Sequence, residues 1–249
     1  MRVSLLGTGS VLPSPRRVQS GIYLTDGSRS LLIDCGSGIV HRLAQAGIDH
    51  RAVDTVLLTH HHLDHVADLP TLLKARWLTD ESSLTVHGAS GTRELSAHLF
   101  ALDRLDERTS INVHEWSLEE FPATIAGYPI DAAPAEHSAA SYAYRIGDAL
   151  AISGDTEPTE SVMELADGVH TLVHECANPD GIGGDGHTTP SELGAALETI
   201  EVTQIFLTHL FPQAEAVSEQ LAATVSEYTD AAVTVANDLT TIEIPDPAI

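Results

Sequence analysis

Basic side chains are scarce in this chain: Lys74 is the only lysine, and Lys and Arg total 12 against 36 Asp and Glu, a formal charge of −24 at pH 7. Nucleic-acid binders normally display Lys and Arg patches that release counterions from phosphates, and none is visible here. Arg16-Arg17 and the stretch 104–108 are short and mixed with acids. Aromatic residues make up only 4% of the chain, which argues against a platform that stacks several bases. The acidic excess and near-absence of Lys, with abundant Ala, Thr and Val, read together as salt adaptation. In concentrated salt electrostatic binding is already screened, so a short RNA or a small nucleotide stays within reach. The cysteines Cys35 and Cys176 have neither disulfide-framework nor CxxC spacing. No apolar run is long enough to span a membrane, and the chain opens into a strand-like segment with no signal peptide; a cytoplasmic protein without a membrane partner is expected.

What the chain does have is a regular alternation of short apolar runs and helical patterns. Strands are expected at 3–6, 21–24, 31–34, 53–59, 84–87, 111–116, 128–133, 142–146, 149–152 and 205–209. Helical patterns fall at 38–46, 68–78, 92–102, 158–166, 190–200 and 214–228. Length alone permits one or two domains, but no linker or low-complexity run divides the series, so one domain over 1–249 is expected.

The chemistry concentrates in Thr59-His60-His61-His62-Leu63-Asp64-His65, which follows the apolar run Val56-Leu57-Leu58. In an extended chain His60 and His62 point the same way, while Asp64 and His65, past a turn, face a second point nearby. That arrangement suits two adjacent metal ions. Imidazole and carboxylate without thiolate favour zinc and its harder neighbours, manganese among them. Further donors sit where apolar runs end: His137 in Ala135-Glu136-His137-Ser138, Asp155 in Ser153-Gly154-Asp155-Thr156, and His209 in Leu207-Thr208-His209. Any one of these alone reads as a solvated polar residue; their repetition at strand ends makes them candidate ligands.

The order HxHxDH, then His, then Asp within SGDT, then Thr-His resembles the metallo-β-lactamase superfamily, and more narrowly the ribonuclease Z group of phosphodiesterases. The likeness runs from Leu6-Gly7-Thr8-Gly9-Ser10 to Thr208-His209. It implies an α/β fold, an αββα sandwich of two mixed sheets flanked by helices with the site at their shared edge. It implies two Zn2+ per chain: one held by His60, His62 and His137, the other by Asp64, His65 and His209, with Asp155 between them. A hydroxide bridging the pair would attack the phosphodiester, and Asp64 would orient or deprotonate it. The segments Leu172-Val173-His174-Glu175-Cys176 and Gly186-His187-Thr188-Thr189-Pro190 are similar to the His-Glu-Ala and His-Ser-Thr segments of that group. By this carry-over His187 is the candidate general acid and Glu175 orients it; read without the family, His187 is a helix-entry residue in a glycine-rich loop. Members often dimerise, so a homodimer is among the expected assemblies.

One departure bears on the substrate. Transfer-RNA-processing members carry a long arm between the third-motif His and the bridging Asp, whereas His137 and Asp155 here enclose only a hairpin-like stretch. Classical transfer-RNA precursor processing is therefore not expected, and the partner is a small nucleotide or short RNA phosphodiester. Arg16-Arg17, in the first loop, could hold a substrate phosphate. Gly7-x-Gly9 lacks the third glycine of a dinucleotide fingerprint and reads as a turn beside the metals. Asp34 is expected to hydrogen-bond a ligand histidine. His61 should point away from the ions, His87 is undecided, His174 is either a ligand-supporting or a core histidine, Cys176 reads as packing near enough to be an adventitious ligand, and Trp77 is assigned to the core. The alternatives to a phosphodiesterase are a carboxyl-ester, thioester or lactone hydrolase on the same dinuclear site, and a non-catalytic metal-bound carrier or regulatory protein.

Overall fold

The computed structural model describes residues 1–182 and 186–245, so much of the glycine-rich approach to His187 lies outside the described residues. The first half of the chain forms β1 (Arg2–Gly7), β2 (Gly21–Thr25), β3 (Ser30–Ile33), α1 (Ile39–Gln45), β4 (Thr55–Leu57), α2 (Leu63–Val66), α3 (Leu69–Trp77), β5 (Ser83–Gly88), α4 (Thr92–Ala101) and β6 (Ser110–Glu115). The second half adds β7 (Ala123–Ile125), β8 (Tyr128–Ala135), β9 (Ser141–Ile146), β10 (Leu150–Ile152), α5 (Glu160–Ala166), β11 (Thr171–Glu175), α6 (Pro190–Leu197), β12 (Gln204–Thr208), α7 (Pro212–Glu215), α8 (Ser218–Ser226), β13 (Ala232–Val235) and β14 (Thr240–Glu243).

One sheet runs β14-β1-β2-β3-β4-β5-β6 and the other β13-β12-β11-β10-β9-β8-β7. From β14 or β7 inward, antiparallel pairings give way to parallel ones at β3–β4 and at β10–β11. The last strand, β14, returns to the first sheet and pairs Thr240–Glu243 with Leu5–Arg2.

Central strands are buried on both faces, which is why they read as continuous apolar runs rather than alternating ones. Leu31, Ile33 and Leu57 face the other sheet, where they meet Ile130, Tyr144, Ile152 and Val173. Their neighbours Leu32, Val56 and Leu58 face outward onto Ile39 and Leu43 of α1 and Leu69, Leu72 and Leu73 of α3. In the second sheet Leu172, Ile205 and Leu207 likewise meet Leu193, Leu197, Leu221 and Val225 of α6 and α8. Helix, sheet, sheet, helix is thus the layer order, the expected sandwich. No helix among the described residues is long and apolar enough to cross a membrane.

Some local expectations needed correction. The strand expected over 53–59 closes at Leu57, and the helix expected over 214–228 is divided into α7 and α8 at Val217, whose ψ of 27° breaks the helical path. The strands β7, β11, β13 and β14 were not anticipated. In β13 the burial simply alternates between exposed and half-buried, leaving little apolar signal to find. Trp77 is not a core residue: it is half-buried at the end of α3, with Lys74 Nζ 4.4 Å and Arg108 Cζ 5.4 Å from its ring centre.

Candidate metal centre

The carboxyl ends of the parallel strands meet along one edge of the sandwich, the usual place for a site in such sheets. Beyond β4 the chain is pinned before it reaches the histidines. Thr59 donates its N–H and its hydroxyl to the two oxygens of Asp34, at 2.8 and 2.9 Å, and Tyr144 Oη donates to the Leu58 carbonyl at 2.9 Å. Asp34 itself sits in the left-handed region, φ 59°, uncommon outside glycine. His62 then caps the single turn α2, which carries Asp64 and His65. Gly36 packs against that turn so closely that a Cβ would lie 2.0 Å from the Asp64 carbonyl oxygen.

The second sheet brings its donors one strand at a time: His137 follows β8, Asp155 follows β10, and His209 follows β12 with φ 57°. Gly154, φ 62°, makes the turn that carries Asp155 inward.

The seven expected ligands come together in two groups, His60 with His62 and His137, and Asp64 with His65, Asp155 and His209. Asp155 stands between the groups. Its Oδ2 lies 3.2 Å from the Nε2 atoms of His65 and His209, 3.6 Å from that of His60 and 3.9 Å from that of His137. His62 Nδ1 and His137 Nε2 approach to 3.0 Å, close to the ~3.3 Å that two nitrogens would span on one tetrahedral zinc.

Second ring nitrogens are held from behind. His65 Nδ1 lies 2.7 Å from Asp34 Oδ2, His137 Nδ1 donates to the Gly186 carbonyl at 2.7 Å, and His209 Nδ1 is 3.2 Å from Ser20 Oγ. Such bonds fix ring orientation and tautomer, leaving Nε2 to the interior. Nε2 of His60 and of His65 are buried and make no hydrogen bond with the described residues. Two orphaned imidazole nitrogens beside a buried carboxylate are costly in a dry interior and would be satisfied by a divalent cation. The donor set therefore fits the metals that the sequence implies.

Electrostatics agree. Burial holds the His60 imidazole far below its ordinary range, and burial holds His209 down to about 4 despite Asp155; neutral rings are what a metal requires. Burial opposes the charge of Asp155, but His209, His65 and His60 outweigh it and keep the carboxyl well below its usual range. His65 is the exception: burial opposes its protonation, but Asp155 and Asp34 prevail and push it up, so this ring must give up a proton before it can hold a metal.

Beside the second group, His187 Nδ1 lies 2.8 Å from Glu175 Oε1. Glu175 also accepts from the backbone N–H of Thr156, Ala177 and Thr188 at 3.0, 3.0 and 3.2 Å. Burial pushes the Glu175 carboxyl up to about 7, against the pull of His187, while Glu175 outweighs burial at His187 and raises its pKa. Three backbone N–H groups donate to the two carboxylate oxygens, which favours the proton of the pair on the imidazole. Thr189 and Glu192 form a reciprocal cap that starts α6 at Pro190, fixing the segment that bears His187.

The other candidates are placed as follows. Asp34 bonds the ring of His65, one of the candidate ligands. His61 turns away to Thr92 Oγ1 at 2.8 Å. His87 accepts from Trp116 Nε1 at 2.9 Å and stacks on His114, outside the donor groups. Buried His174 faces the helix layer with Leu172, and burial holds it down to about 4. Cys176 packs in the same layer with its thiol pushed up by burial, and it belongs to neither donor group. Of the Arg16-Arg17 pair only Arg17 is buried; both guanidiniums are drawn to Glu215, Nε to Oε1 at 2.8 and 3.3 Å, while Arg16 stays exposed. Sequence reasoning missed Ser20 behind His209, the Gly186 carbonyl behind His137, and Phe211, whose ring centre is 5.2 Å from that of His187. Only Phe211, two residues past His209, carried a sequence signal that could have been noticed.

Residues 29–210 match the family described as the beta-lactamase superfamily domain. A ribonuclease Z of Mycobacterium marinum is 31% identical over 279 aligned positions, covering 98% of this chain and 99% of that protein. Among solved structures, the metallo-beta-lactamase fold protein YhfI from Bacillus subtilis superposes with a TM-score of 0.83 at 24% identity, covering 97% of this chain and 99% of its own. The short form of human tRNase Z gives 0.78 at 23% identity, covering 98% and 100%.

Proposed function

Since the chain belongs to the β-lactamase superfamily, we propose that it is a zinc-dependent phosphodiesterase of the ribonuclease Z-like group, acting on a small nucleotide or short RNA. The observation that carries this reading is the position of Asp155 Oδ2 within 4 Å of imidazole nitrogens from both donor groups. His60, His62 and His137 would hold one ion, Asp64, His65 and His209 the other, and Asp155 would serve both; zinc is the first assignment and manganese the second. When bound, such a pair supplies a nucleophile from water at neutral pH and neutralises charge on phosphoryl oxygens.

The chain's own groups do the rest. Asp64, buried at the start of α2, orients the attacking water and takes up its proton. His187, kept protonated by Glu175, donates from Nε2 to the leaving oxygen. Glu175 fixes both the tautomer and the direction of that ring. Residues 1–249 act as one domain in this reading, because the two sheets share a core and each donor group draws on both.

Transfer-RNA maturation is not the proposed role. Between His137 and Asp155 the chain is occupied by β9 and β10, a hairpin that pairs Ile146 with Leu150, and no arm can fit there. The aligned relative spans 279 positions against the 249 residues of this chain, so it carries stretches with no counterpart here.

The test is hydrolysis of bis(p-nitrophenyl) phosphate by metal-loaded protein in multimolar KCl, with Asp64→Ala as control. Turnover that vanishes in Asp64→Ala is the expected result. Folded wild-type protein that holds two metals yet gives no turnover would redirect the assignment to carboxyl esters, thioesters or lactones, or to binding without chemistry. His187→Ala should slow substrates with poor leaving groups by about a hundredfold and good ones far less; equal losses would end its role as acid.

A further inference from the structure

The substrate is constrained by what flanks His187. All 12 Lys and Arg side chains of this chain are tied to carboxylates or to backbone carbonyls. Arg16 and Arg17, in the loop after β1, share Glu215. Phosphates of a polynucleotide would therefore have to compete with carboxylates or backbone carbonyls already at these side chains. What lies against the acid is a ring. Phe211 is half-buried, its centre 5.2 Å from His187 at an interplanar angle of 67° and 6.1 Å from His209.

This ring is fixed by the segment that fixes the acid. Phe211 donates its N–H to the Ala177 carbonyl at 3.1 Å, and Ala177 donates its own N–H to Glu175 at 3.0 Å. Pro212 then begins α7 and holds the backbone of Phe211 extended, φ −71° and ψ 158°. Glu175, His187 and Phe211 are thus placed as one unit, so the group beside the donated proton also lies beside the ring.

We propose that Phe211 is a specificity-determining residue, whose ring packs against a flat leaving group of a small phosphodiester that His187 protonates. The inference rests on the phosphodiesterase reading and narrows it: recognition comes from aromatic contact at the leaving group rather than from cations along a polynucleotide. Base–aromatic stacking contributes on the order of tenfold in affinity at its weaker end.

The experiment compares diphenyl phosphate with dimethyl phosphate as ligands of the metal-loaded full chain, by calorimetric titration and as inhibitors of bis(p-nitrophenyl) phosphate hydrolysis. Wild-type protein should bind the diphenyl ester roughly tenfold more tightly than the dimethyl ester. Phe211→Leu should erase most of that preference and raise KM with kcat little changed, while Phe211→Trp should retain it. Equal binding of the two esters by wild-type protein overturns the proposal without recourse to any variant. So does an unchanged preference in Phe211→Leu, or cleavage of an octaribonucleotide with a higher kcat/KM per bond than the small diester. A wild-type protein that prefers the diphenyl ester in titration but turns nothing over would sink the phosphodiesterase reading while leaving the aromatic subsite standing.

Discussion

Between His60 and His65 the first sheet delivers four donors from one short stretch of chain, whereas the second sheet delivers His137, Asp155 and His209 from the ends of three different strands. Both sheets have the same progression from antiparallel to parallel pairing, and both place donors at carboxyl ends. The tripeptide Leu-Thr-His even recurs, as 58–60 just past β4 and as 207–209 across the end of β12. Its outcome differs. His60 continues directly into the cluster, while His209 turns into the left-handed region and rests on Ser20 from the other half. A contiguous cluster needs only one turn to be correct; a distributed one needs the strand order to be correct. Each donor group takes members from both halves, so bound metal should fasten one sheet to the other.

This contrast can be broken at its centre. Asp155→Ala should empty both groups, lowering metal content from two per chain toward none and activity by a thousandfold or more, because several kcal/mol of charge stabilisation depend on the pair. His62→Ala should cost one metal and keep the other, since the Asp64 group does not include it. Metal analysis of the two variants side by side decides whether the halves are unequal in this sense; identical losses would mean that the groups bind only together.

Weaker perturbations sharpen the comparison. Asp34→Asn keeps a side chain that tolerates φ 59° but exchanges one carboxylate oxygen for an amide, loosening either Thr59 or His65. Metal affinity should fall roughly 10- to 100-fold with the fold intact, read by competition with a chromogenic chelator. The smallest effect concerns His174, a group of the second half alone. Burial holds it down to about 4, below its unfolded value of 6.5, so the unfolded chain takes up the proton first as pH falls. Its neutral form costs nothing above pH 6.5, and stability drains away between pH 6.5 and 4. His174→Leu should therefore flatten the pH dependence of unfolding by about 2 kcal/mol at pH 5 relative to wild type, with the two curves parallel above pH 7. Denaturant midpoints across that window would measure it.

The legible parts of the site were those with local causes. His60, His62, Asp64 and His65 announce themselves by spacing, and the apolar run before them marks the strand that presents them. His137, Asp155 and His209 were visible only as repeated strand-end placements and through the resemblance that ordered them. Asp34 was foreseen because a carboxylate at the end of a neighbouring strand can reach a ligand ring. Ser20 and the Gly186 carbonyl were not, since a common hydroxyl and an anonymous backbone oxygen carry no pattern. Arg17 misled for the complementary reason: a basic residue reads as an anion site until Glu215, far along the chain, is folded against it in the interior.

The residue sequence by itself determined the chemistry of the donors, the doubly buried strands and the absence of spare positive charge, because side-chain identity, apolar runs and composition are local or additive. The tertiary structure alone decided how closely the donors gather, which arginines are turned to carboxylates, and that Phe211 rather than a cation stands against His187. Those are questions of distance between residues up to about two hundred positions apart in the chain, and distance of that kind is set by sheet order and core packing, which no spacing along the chain encodes.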